Sequence, residues 1–322
     1  MKRLLSIILI LLLCAGCRSS TRSVGGEPGE SEQDQRIAFR ASVERQLRLN
    51  AVSAALLTAA VKMGCGNVTR KYGFGIFRRD DFKPEYQEGA FGYFGRENVV
   101  TFVGKGTAAE RGGLSRGDLI LTINGVALER MTQKDLKGAL QKPNIDLIAA
   151  GDDGSKRKVA IKALPACDCQ VTLMTEVKIN TRLETGRIMV TSGLVRFTEN
   201  DSELAMVVGY EIGRTIVELR KRKQLSADDE ITPVDEKKTG RRYEYDIAAA
   251  MVRMASLAGY NTTEGVRVWR RLTHVEPASV DALYLRSHAS PEQLTAIDRA
   301  VKDIRVKQKP VQSTAQDKRR SK

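Results

Sequence analysis

GGLSRGDLILTING, residues Gly112–Gly125, decides the fold of the middle of this chain. Glycine adopts turn conformations that other residues avoid, so Gly113 and Leu114 indicate the end of a short helix and Gly117 indicates a turn. The apolar residues that follow Gly117 predict a strand. The strand finishes at Asn124-Gly125, a dipeptide typical of tight β-hairpins.

Further segments extend this pattern on both sides. NVVTFV at Asn98–Val103 predicts a strand, and TAAERGGL at 107–114 predicts a short helix. A second helix is expected over Thr132–Leu140, and KRKVAIKA at 156–163 closes the pattern as a strand. Together these segments resemble a PDZ domain, a small β-sandwich or barrel, over residues 89–164.

The resemblance to PDZ domains implies a peptide-binding site. In that family a peptide adds a strand to the sheet edge, and backbone amides of the loop before the peptide-side strand capture its terminal carboxylate. By position, the loop residues here are Phe91, Gly92, Tyr93 and Phe94. The alternative is a PDZ domain that docks on a neighbouring domain and binds no free peptide, because a fold alone does not establish a working site.

The N-terminus has the pattern of an export signal. Lys2 and Arg3 precede an apolar run, Leu4–Leu13, which is too short to span a membrane. The ending Cys14-Ala15-Gly16-Cys17 resembles the lipobox of bacterial lipoproteins, which implies cleavage after residue 16 and acylation of Cys17. Ordinary secretion with cleavage near Gly16 is the alternative. Because Arg18 replaces the aspartate associated with inner-membrane retention, the resemblance favours the outer membrane, facing the periplasm.

Two segments connect this signal to the folded part of the chain. Residues 17–35 are rich in Gly, Ser and Glu, a composition typical of a flexible tether. Residues 36–88 form an N-terminal helical segment, since apolar residues recur at helical spacing from Ile37 to Lys62 and predict one long helix or two shorter ones.

Three cysteines, Cys65, Cys167 and Cys169, remain in the exported chain after the signal ending. Export permits disulfide formation, so one bridge and one remaining thiol are expected. Cys65 pairs with either Cys167 or Cys169, because a bridge between the last two would close a strained, very small ring.

The chain of 322 residues has a formal net charge of +14 and is long enough for two domains. Its tail, 307–322, is rich in Lys and Arg, which in the cytosol would suggest nucleic acid. For an exported chain we expect no nucleic-acid partner; anionic lipids or cell-wall polymers fit better. A solvated, disordered end is the alternative, since no aromatic residues interleave the charges.

VVGYEIGRTI at Val207–Ile216 has the shape of a zinc-peptidase helix without its histidines. Asn200, three residues before Glu203, predicts the start of a helix that runs to about Arg222. Glu211 falls on the apolar face of that helix, where a carboxylate is costly unless it is paired or binds a metal. This face contains Leu204, Val208, Ile212, Thr215 and Leu219.

The segment INTRLETGRIMVTSGLVRFTENDSELAMVVGYEIGRTI resembles the core of the HtpX/BepA-like zinc metallopeptidases of the CAAX-prenyl-protease family. RRYEYDIAAAMVRMASLAGY resembles the second family helix, whose third zinc ligand aligns with Glu244. LRSHASPEQL, with His288, resembles the family's C-terminal motif. The resemblance implies a mostly helical, zincin-like domain with a small sheet over 165–306, so the fold class expected for the whole chain is α+β.

In the family, an HExxH motif supplies two zinc ligands and the general base. Glu211 stands at the position of the base and Glu244 at the third ligand. Tyr210 and Arg214 replace the two histidines, and a neutral phenol and a permanent cation are poor zinc ligands. We therefore expect no cofactor and a catalytically inactive site. One hypothesis places the Arg214 guanidinium in the former metal cavity, against Glu211, Glu244 or both; the alternative turns it to solvent.

The combined patterns favour a lipid-anchored envelope protein that binds extended or C-terminal peptide segments of other envelope proteins, as an adaptor or a chaperone-like factor. An envelope metalloendopeptidase with an atypical zinc site is the second interpretation. A structural lipoprotein without a ligand is the third.

Overall fold

The computed structural model describes residues 32–184, 187–225, 236–275 and 290–308. The chain divides into two compact units, Met1–Arg40 and Ala41–Lys322. Within the first unit, the described residues form the beginning of the first helix.

The described residues combine helices with several small sheets, as the expected α+β class requires. The helices are α1 Glu32–Ala60, α2 Pro84–Phe94, α3 Ala108–Arg111, α4 Gln133–Leu140, α5 Ser192–Phe197, α6 Asp201–Leu225, α7 Glu236–Leu257, α8 Thr262–Gly265, α9 Arg267–Leu272 and α10 Pro291–Gln308. The strands are β1 Val68–Lys71, β2 Phe74–Ile76, β3 Val100–Val103, β4 Leu119–Ile123, β5 Val126–Ala127, β6 Asn144–Ala150, β7 Lys156–Lys162, β8 Leu164–Cys167, β9 Gln170–Met174, β10 Thr181–Glu184 and β11 Arg187–Thr191.

Residues 68–163, called the sheet lobe, contain a four-stranded antiparallel sheet in the order β5-β4-β6-β7. A second sheet pairs β2 with β3, and a bridge between Val99 and Leu119 connects the two sheets. Asn124 and Gly125 both have positive φ, at 51° and 79°, which confirms the tight hairpin between β4 and β5. The helix expected over Thr132–Leu140 is also confirmed, with Thr132 as its N-cap.

Helices α1, α6 and α7, with β9 to β11, build the helical lobe, defined as residues 41–63 and the described residues from 164 onward. Leu49 and Leu56 of α1 belong to the same buried cluster as Val208 of α6, Met251 of α7 and Trp269 of α9. The N-terminal helix is therefore part of this core, because its apolar face is covered by α6 and α7. It is one long helix, as the first of the two sequence alternatives had it.

The sheet lobe is inserted between α1 and β9 and is closed at its base. Strands β1 and β8 pair antiparallel, with Val68 opposite Cys167. Cys167 forms a disulfide with Cys65, which selects one of the two pairings left open by the sequence. Cys169 keeps its thiol outside the disulfide. The ladder and the disulfide together fix the base of the sheet lobe to the end of α1.

A search of the described helices finds none with the length and apolar character needed to cross a membrane.

Candidate functional site

Strand β2 is an edge strand in the described part of the sheet lobe, with β3 as its partner on one side. The carbonyl of Gly73 accepts a hydrogen bond from the Gly104 N–H, and Phe74 lies opposite Val103. Antiparallel partners alternate between bonded and non-bonded pairs, so the N–H and C=O of Phe74 point away from β3. This edge can accept an added strand.

Two glycines shape the start of β2. Gly73 has φ +83°, and a β-carbon there would lie 2.3 Å from Thr107 Cβ. A β-carbon on Gly75 would lie 2.4 Å from the Phe102 ring. Gly73 therefore provides the turn into the strand, and Gly75 lets the ring of Phe102 lie against its backbone.

Helix α4 packs near the same strand and forms the second wall of a groove. Phe74 and Ile76 of β2 and Leu136 and Leu140 of α4 are partly buried and pack against the same core cluster. The Tyr72 hydroxyl donates a hydrogen bond of 2.6 Å to the Lys142 carbonyl, which ties the turn before β2 to the end of α4. The groove thus has an unpaired backbone edge and apolar side chains.

A cavity of about 470 Å³ opens where β2 begins. Its walls come from the turn between β1 and β2, from α1, from α4 and from β9. The lining residues are Asn50, Ser53, Ala54, Leu57, Arg70, Lys71, Tyr72, Gly73, Phe74, Phe102, Leu140, Cys169, Gln170, Val171 and Thr172. This set, called the terminal pocket below, contains Arg70 and Lys71 and no Asp or Glu, so its charged side chains favour an anion.

The prediction of a carboxylate-binding loop at Phe91, Gly92, Tyr93 and Phe94 is wrong. These residues form the last turn of α2, which ends at Gly95 with φ 74°. The Phe94 ring stacks on Phe77 at 4.4 Å between centroids, whereas the Tyr93 hydroxyl donates a hydrogen bond to Glu44 of α1. The helix follows β2 instead of preceding it, whereas the turn that opens β2 contains Gly73.

This turn was not predicted, because the carboxylate loop was placed at residues 91–94, before NVVTFV, instead of before β2. The structure places β3 between β2 and β4, where the Val100 N–H donates to the Asp118 carbonyl. One edge of β3 is paired with β2 and the other is bonded to the residues before β4 at Val100, so a peptide cannot pair along the whole strand. The signal that could have located the site is Tyr72-Gly73-Phe74-Gly75-Ile76, in which glycines alternate with apolar residues directly after two basic residues.

The helical lobe brings together two residues at positions that the resemblance to zinc peptidases assigns to metal ligands. The Tyr210 hydroxyl donates a hydrogen bond of 3.1 Å to Glu244 Oε2, and the Tyr210 ring lies 5.3 Å from the Trp269 ring. Tyr210 is fully buried. Burial raises the pKa of the Tyr210 phenol, and the neighbouring Glu244 carboxylate adds to this rise, so the hydroxyl stays protonated.

Arg214 lies closest to a different carboxylate from those in the cavity hypothesis. Its Nε is 3.0 Å from Glu218 Oε1, whereas its Nη1 is 3.8 Å from Glu211 Oε2. The Tyr243 hydroxyl also donates to Glu218, at 3.0 Å. Arg214 therefore pairs mainly along its own helix with Glu218, and it approaches Glu211 at the limit of an ion pair.

Glu211 is fully buried and accepts a hydrogen bond of 2.8 Å from the Thr181 hydroxyl. Burial raises its pKa to about 7, although Thr181 and Arg214 act in the opposite direction. The helix containing it begins as expected, because the Asn200 side chain accepts a hydrogen bond from the Glu203 N–H at 3.0 Å.

This arrangement does not fit zinc. The side chains at the two histidine positions are a protonated phenol and a guanidinium, and neither supplies the neutral imidazole or anionic oxygen that zinc prefers. No group of three or more His, Cys, Asp or Glu residues suited to a metal ion occurs within the described ranges. Glu211, Tyr210, Arg214 and Glu244 thus form a network of hydrogen bonds and charges without the ligand set of a zinc centre.

Several sequence predictions lie outside the described residues. These are the signal segment, the proposed acylation site Cys17, His288 and the basic tail from 309 onward.

The comparisons with known proteins support the predicted family of the sheet lobe. Residues 68–149 match the family model of the PDZ domain. The match begins at β1, earlier than the residue 89 expected from the sequence, and β7 extends the paired sheet beyond it to Lys162. No curated protein matches the chain. Residues 68–149 therefore form a PDZ domain, and β2 is an edge strand of this domain within the described residues.

Proposed function

We propose that this chain is a non-catalytic adaptor that binds the C-terminal ends of other proteins between β2 and α4. The observation that carries the proposal is the unpaired edge of β2, which opens into the terminal pocket. An extended peptide adds to this edge through backbone hydrogen bonds, and its last residue enters the pocket. Backbone pairing makes the binding tolerant of sequence along the strand, while the pocket selects the terminus.

The charge of the terminal pocket supports a free carboxylate as the feature that is recognised. Arg70 and Lys71 end β1 directly before the turn into β2, and both are exposed. A cationic side chain donates a charge-assisted hydrogen bond to a carboxylate, and such a bond is stronger than one between neutral groups. Internal peptide segments lack this group, so the proposal favours chain ends over internal segments.

We further propose that the chain acts in the bacterial cell envelope, anchored through a lipid on Cys17 and facing the periplasm. The Cys65–Cys167 disulfide supports an oxidising compartment, since such bonds persist mainly outside the cytosol. The partners are then envelope proteins, and anionic lipids are further partners of the basic tail. Tethering to the membrane raises the effective concentration at which the binding domain meets other membrane-held chains.

For the helical lobe we propose descent from a zinc peptidase without retained catalysis. The resemblance supports this through the spacing of Tyr210, Arg214 and Glu244, and the contact between Tyr210 and Glu244 supports it in three dimensions. The donors at these positions do not fit the metal, so the proposed role of the lobe is to support the PDZ domain.

A C-terminal peptide display screen on the full chain tests the peptide-binding proposal. The best sequence is then synthesised with a free carboxylate and with a C-terminal amide, and binding is measured by fluorescence anisotropy. We expect the acid to bind about tenfold or more tightly, the effect of a charge-assisted hydrogen bond. The R70Q/K71Q variant should lose most of this difference, and K158Q, an exposed lysine of β7, should keep it. A screen without enriched sequences, or equal binding of acid and amide, would overturn the proposal.

A further inference from the structure

One face of the four-stranded sheet carries a row of lysines. Strands β6 and β7 pair along their whole length, and Val159 and Ile161 of β7 are buried in the core of the sheet lobe. Successive side chains of a strand point to opposite faces, so the residues at 156, 158 and 162 point away from that core. These are Lys156, Lys158 and Lys162, and all three are exposed. The three residues are called the lysine face below.

Few negative charges lie near the lysine face. Its lysines form no ion pair with an acidic residue in the described part of the chain. In the turn between β6 and β7, Asp152 pairs with Arg96 at 3.0 Å, and Asp153 accepts a hydrogen bond from the Ser155 N–H at 2.9 Å. Asp146 of β6 is exposed and shares the side of the sheet to which the lysines point. Three lysines against this carboxylate leave the face with a net positive charge.

The shape of the lysine face indicates which kind of anion fits. Lys156 and Lys162 lie on one extended strand, and their spacing along it is about 20 Å. Ile148, half-buried opposite Lys158, and the exposed Ala160 lie between the charges. A single small anion needs donors that converge on it, whereas these cations are spread along the sheet. An anionic bilayer fits better, because each lysine near its surface adds to the attraction and the long side chains adapt to the head groups.

The peptide groove lies on the other side of this sheet. The core cluster that buries Val159 and Ile161 also packs against Phe74 of β2 and Leu136 of α4. The lysine face points away from this cluster, so the lysine face and the groove are on opposite sides of the sheet lobe. A flat partner on the lysine face would therefore leave the groove open.

We propose that the lysine face docks on an anionic lipid surface and holds the sheet lobe with its groove directed away from the membrane. This inference goes beyond peptide binding, because it assigns a second surface of the PDZ domain to a second partner. It needs neither the lipid on Cys17 nor the basic tail.

Vesicle partitioning tests the inference on the full chain with Cys17→Ser, which prevents acylation. The vesicles contain phosphatidylcholine alone or with about 30% phosphatidylglycerol, at about 0.1 M salt, and the ratio of the two partition coefficients is measured. This ratio cancels uncharged contributions such as that of the N-terminal apolar run. We expect K156Q/K158Q/K162Q to lower the ratio about tenfold to a hundredfold, because three cations near the anionic surface are lost.

Two matched variants separate the lysine face from net charge. K83Q/K134Q/K137Q removes three exposed lysines outside β7 and should change the ratio by less than about threefold. K156R/K158R/K162R keeps the charges and should keep the ratio. Equal losses in the two glutamine variants, an unchanged ratio in K156Q/K158Q/K162Q, or a loss in the arginine variant would overturn the inference.

Two further outcomes distinguish the lipid surface from other partners. Binding of soluble polyglutamate through the same lysines, without a preference for the anionic vesicles, would assign the lysine face to an acidic protein and overturn the lipid role. A C-terminal peptide display screen without enriched sequences would overturn the proposed function alone, because vesicle binding does not use the edge of β2.

Discussion

The Tyr210 hydroxyl donates a hydrogen bond to Glu244 and so joins α6 to α7 where the resemblance to zinc peptidases places two metal ligands. In that resemblance the phenol stands at the position of a histidine, and it donates its hydrogen bond to the carboxylate. Arg214, one turn further along α6, pairs with Glu218. These residues form hydrogen bonds and an ion pair at the positions in question, and the proposed descent predicts which substitutions would supply zinc ligands there.

Replacing both non-ligands should create zinc binding. In Y210H/R214H, two imidazoles lie at i and i+4 on one helix face, with Glu244 near the first, which is the ligand spacing of zinc peptidases. We expect about one zinc per chain by elemental analysis after dialysis, against little in the wild type. Each single variant supplies too few ligands and is the matched control. A double variant that folds but retains no more zinc than the wild type would contradict the proposed descent.

Glu211 should destabilise the folded chain at neutral pH. Its pKa rises from 4.5 to about 7 because of burial, so the folded state keeps the proton to a higher pH than the unfolded state. The penalty for ionising Glu211 is absent below pH 4.5, grows between 4.5 and 7, and is constant above. We expect Glu211→Gln to raise the free energy of unfolding at pH 8 by about 2 kcal/mol relative to its effect at pH 4.

Urea denaturation across this pH range measures the effect of Glu211→Gln. The control is Glu184→Gln, an exposed position on β10. A gain from Glu211→Gln that does not depend on pH would show that Glu211 has the same pKa in the folded and unfolded states, which would contradict the rise caused by burial.

Gly75 should tolerate no side chain, because a β-carbon would overlap the Phe102 ring. Gly75→Ala forces the ring or the edge strand to move, and we expect a loss of about 1–3 kcal/mol in the free energy of unfolding. Gly138 in α4 is the matched control, since a β-carbon there has no neighbour within 4 Å. Gly138→Ala should stabilise by about 0.5–1 kcal/mol, because glycine is a poor residue within a helix. Equal effects of the two variants in urea denaturation would contradict the close packing at β2.

The disulfide should stabilise the junction of the two lobes. Cys65 and Cys167 are 102 residues apart, and bridging a long loop restricts the unfolded chain strongly. We expect C65S/C167S to lower the free energy of unfolding by about 2–4 kcal/mol. Cys169→Ser leaves the bridge intact and should have a smaller effect. Equal stability of the double variant and the wild type would show that the β1–β8 ladder holds the junction alone.

Sequence reasoning succeeded where a local group of residues determines the structure. Asn124-Gly125, the Thr132 cap and the Asn200 cap each act within a few positions, and all three are confirmed. It failed at Phe91–Phe94, although Pro84 at the first turn and Gly95 at the end are ordinary helix signals. The aromatic residues there favoured a loop, whereas in the structure Phe94 packs on Phe77 and Tyr93 bonds to Glu44 of α1.

The terminal pocket could not be predicted from the sequence. Ser53, Phe74 and Gln170 come from segments far apart in the chain, and only the insertion of the sheet lobe between α1 and β9 brings them together. Strand β2 has three residues, too few for a periodic signal. Whether the Ser53 hydroxyl has a hydrogen-bond partner depends on its neighbours in three dimensions, which composition does not indicate.

Alkylation of Cys169 tests the central claim most directly, because this thiol lines the terminal pocket. Burial raises its pKa, so the reaction is run at about pH 8.5, where thiols begin to ionise. Peptide mapping by mass spectrometry follows Cys169 alone in the full chain. With the selected free-acid peptide at about ten times its Kd, only about one tenth of the chains have no bound peptide. We therefore expect the alkylation rate to fall about tenfold. The amidated peptide at the same concentration should protect weakly. An unchanged rate while anisotropy shows the acid peptide to be bound would place the binding site elsewhere and contradict the account.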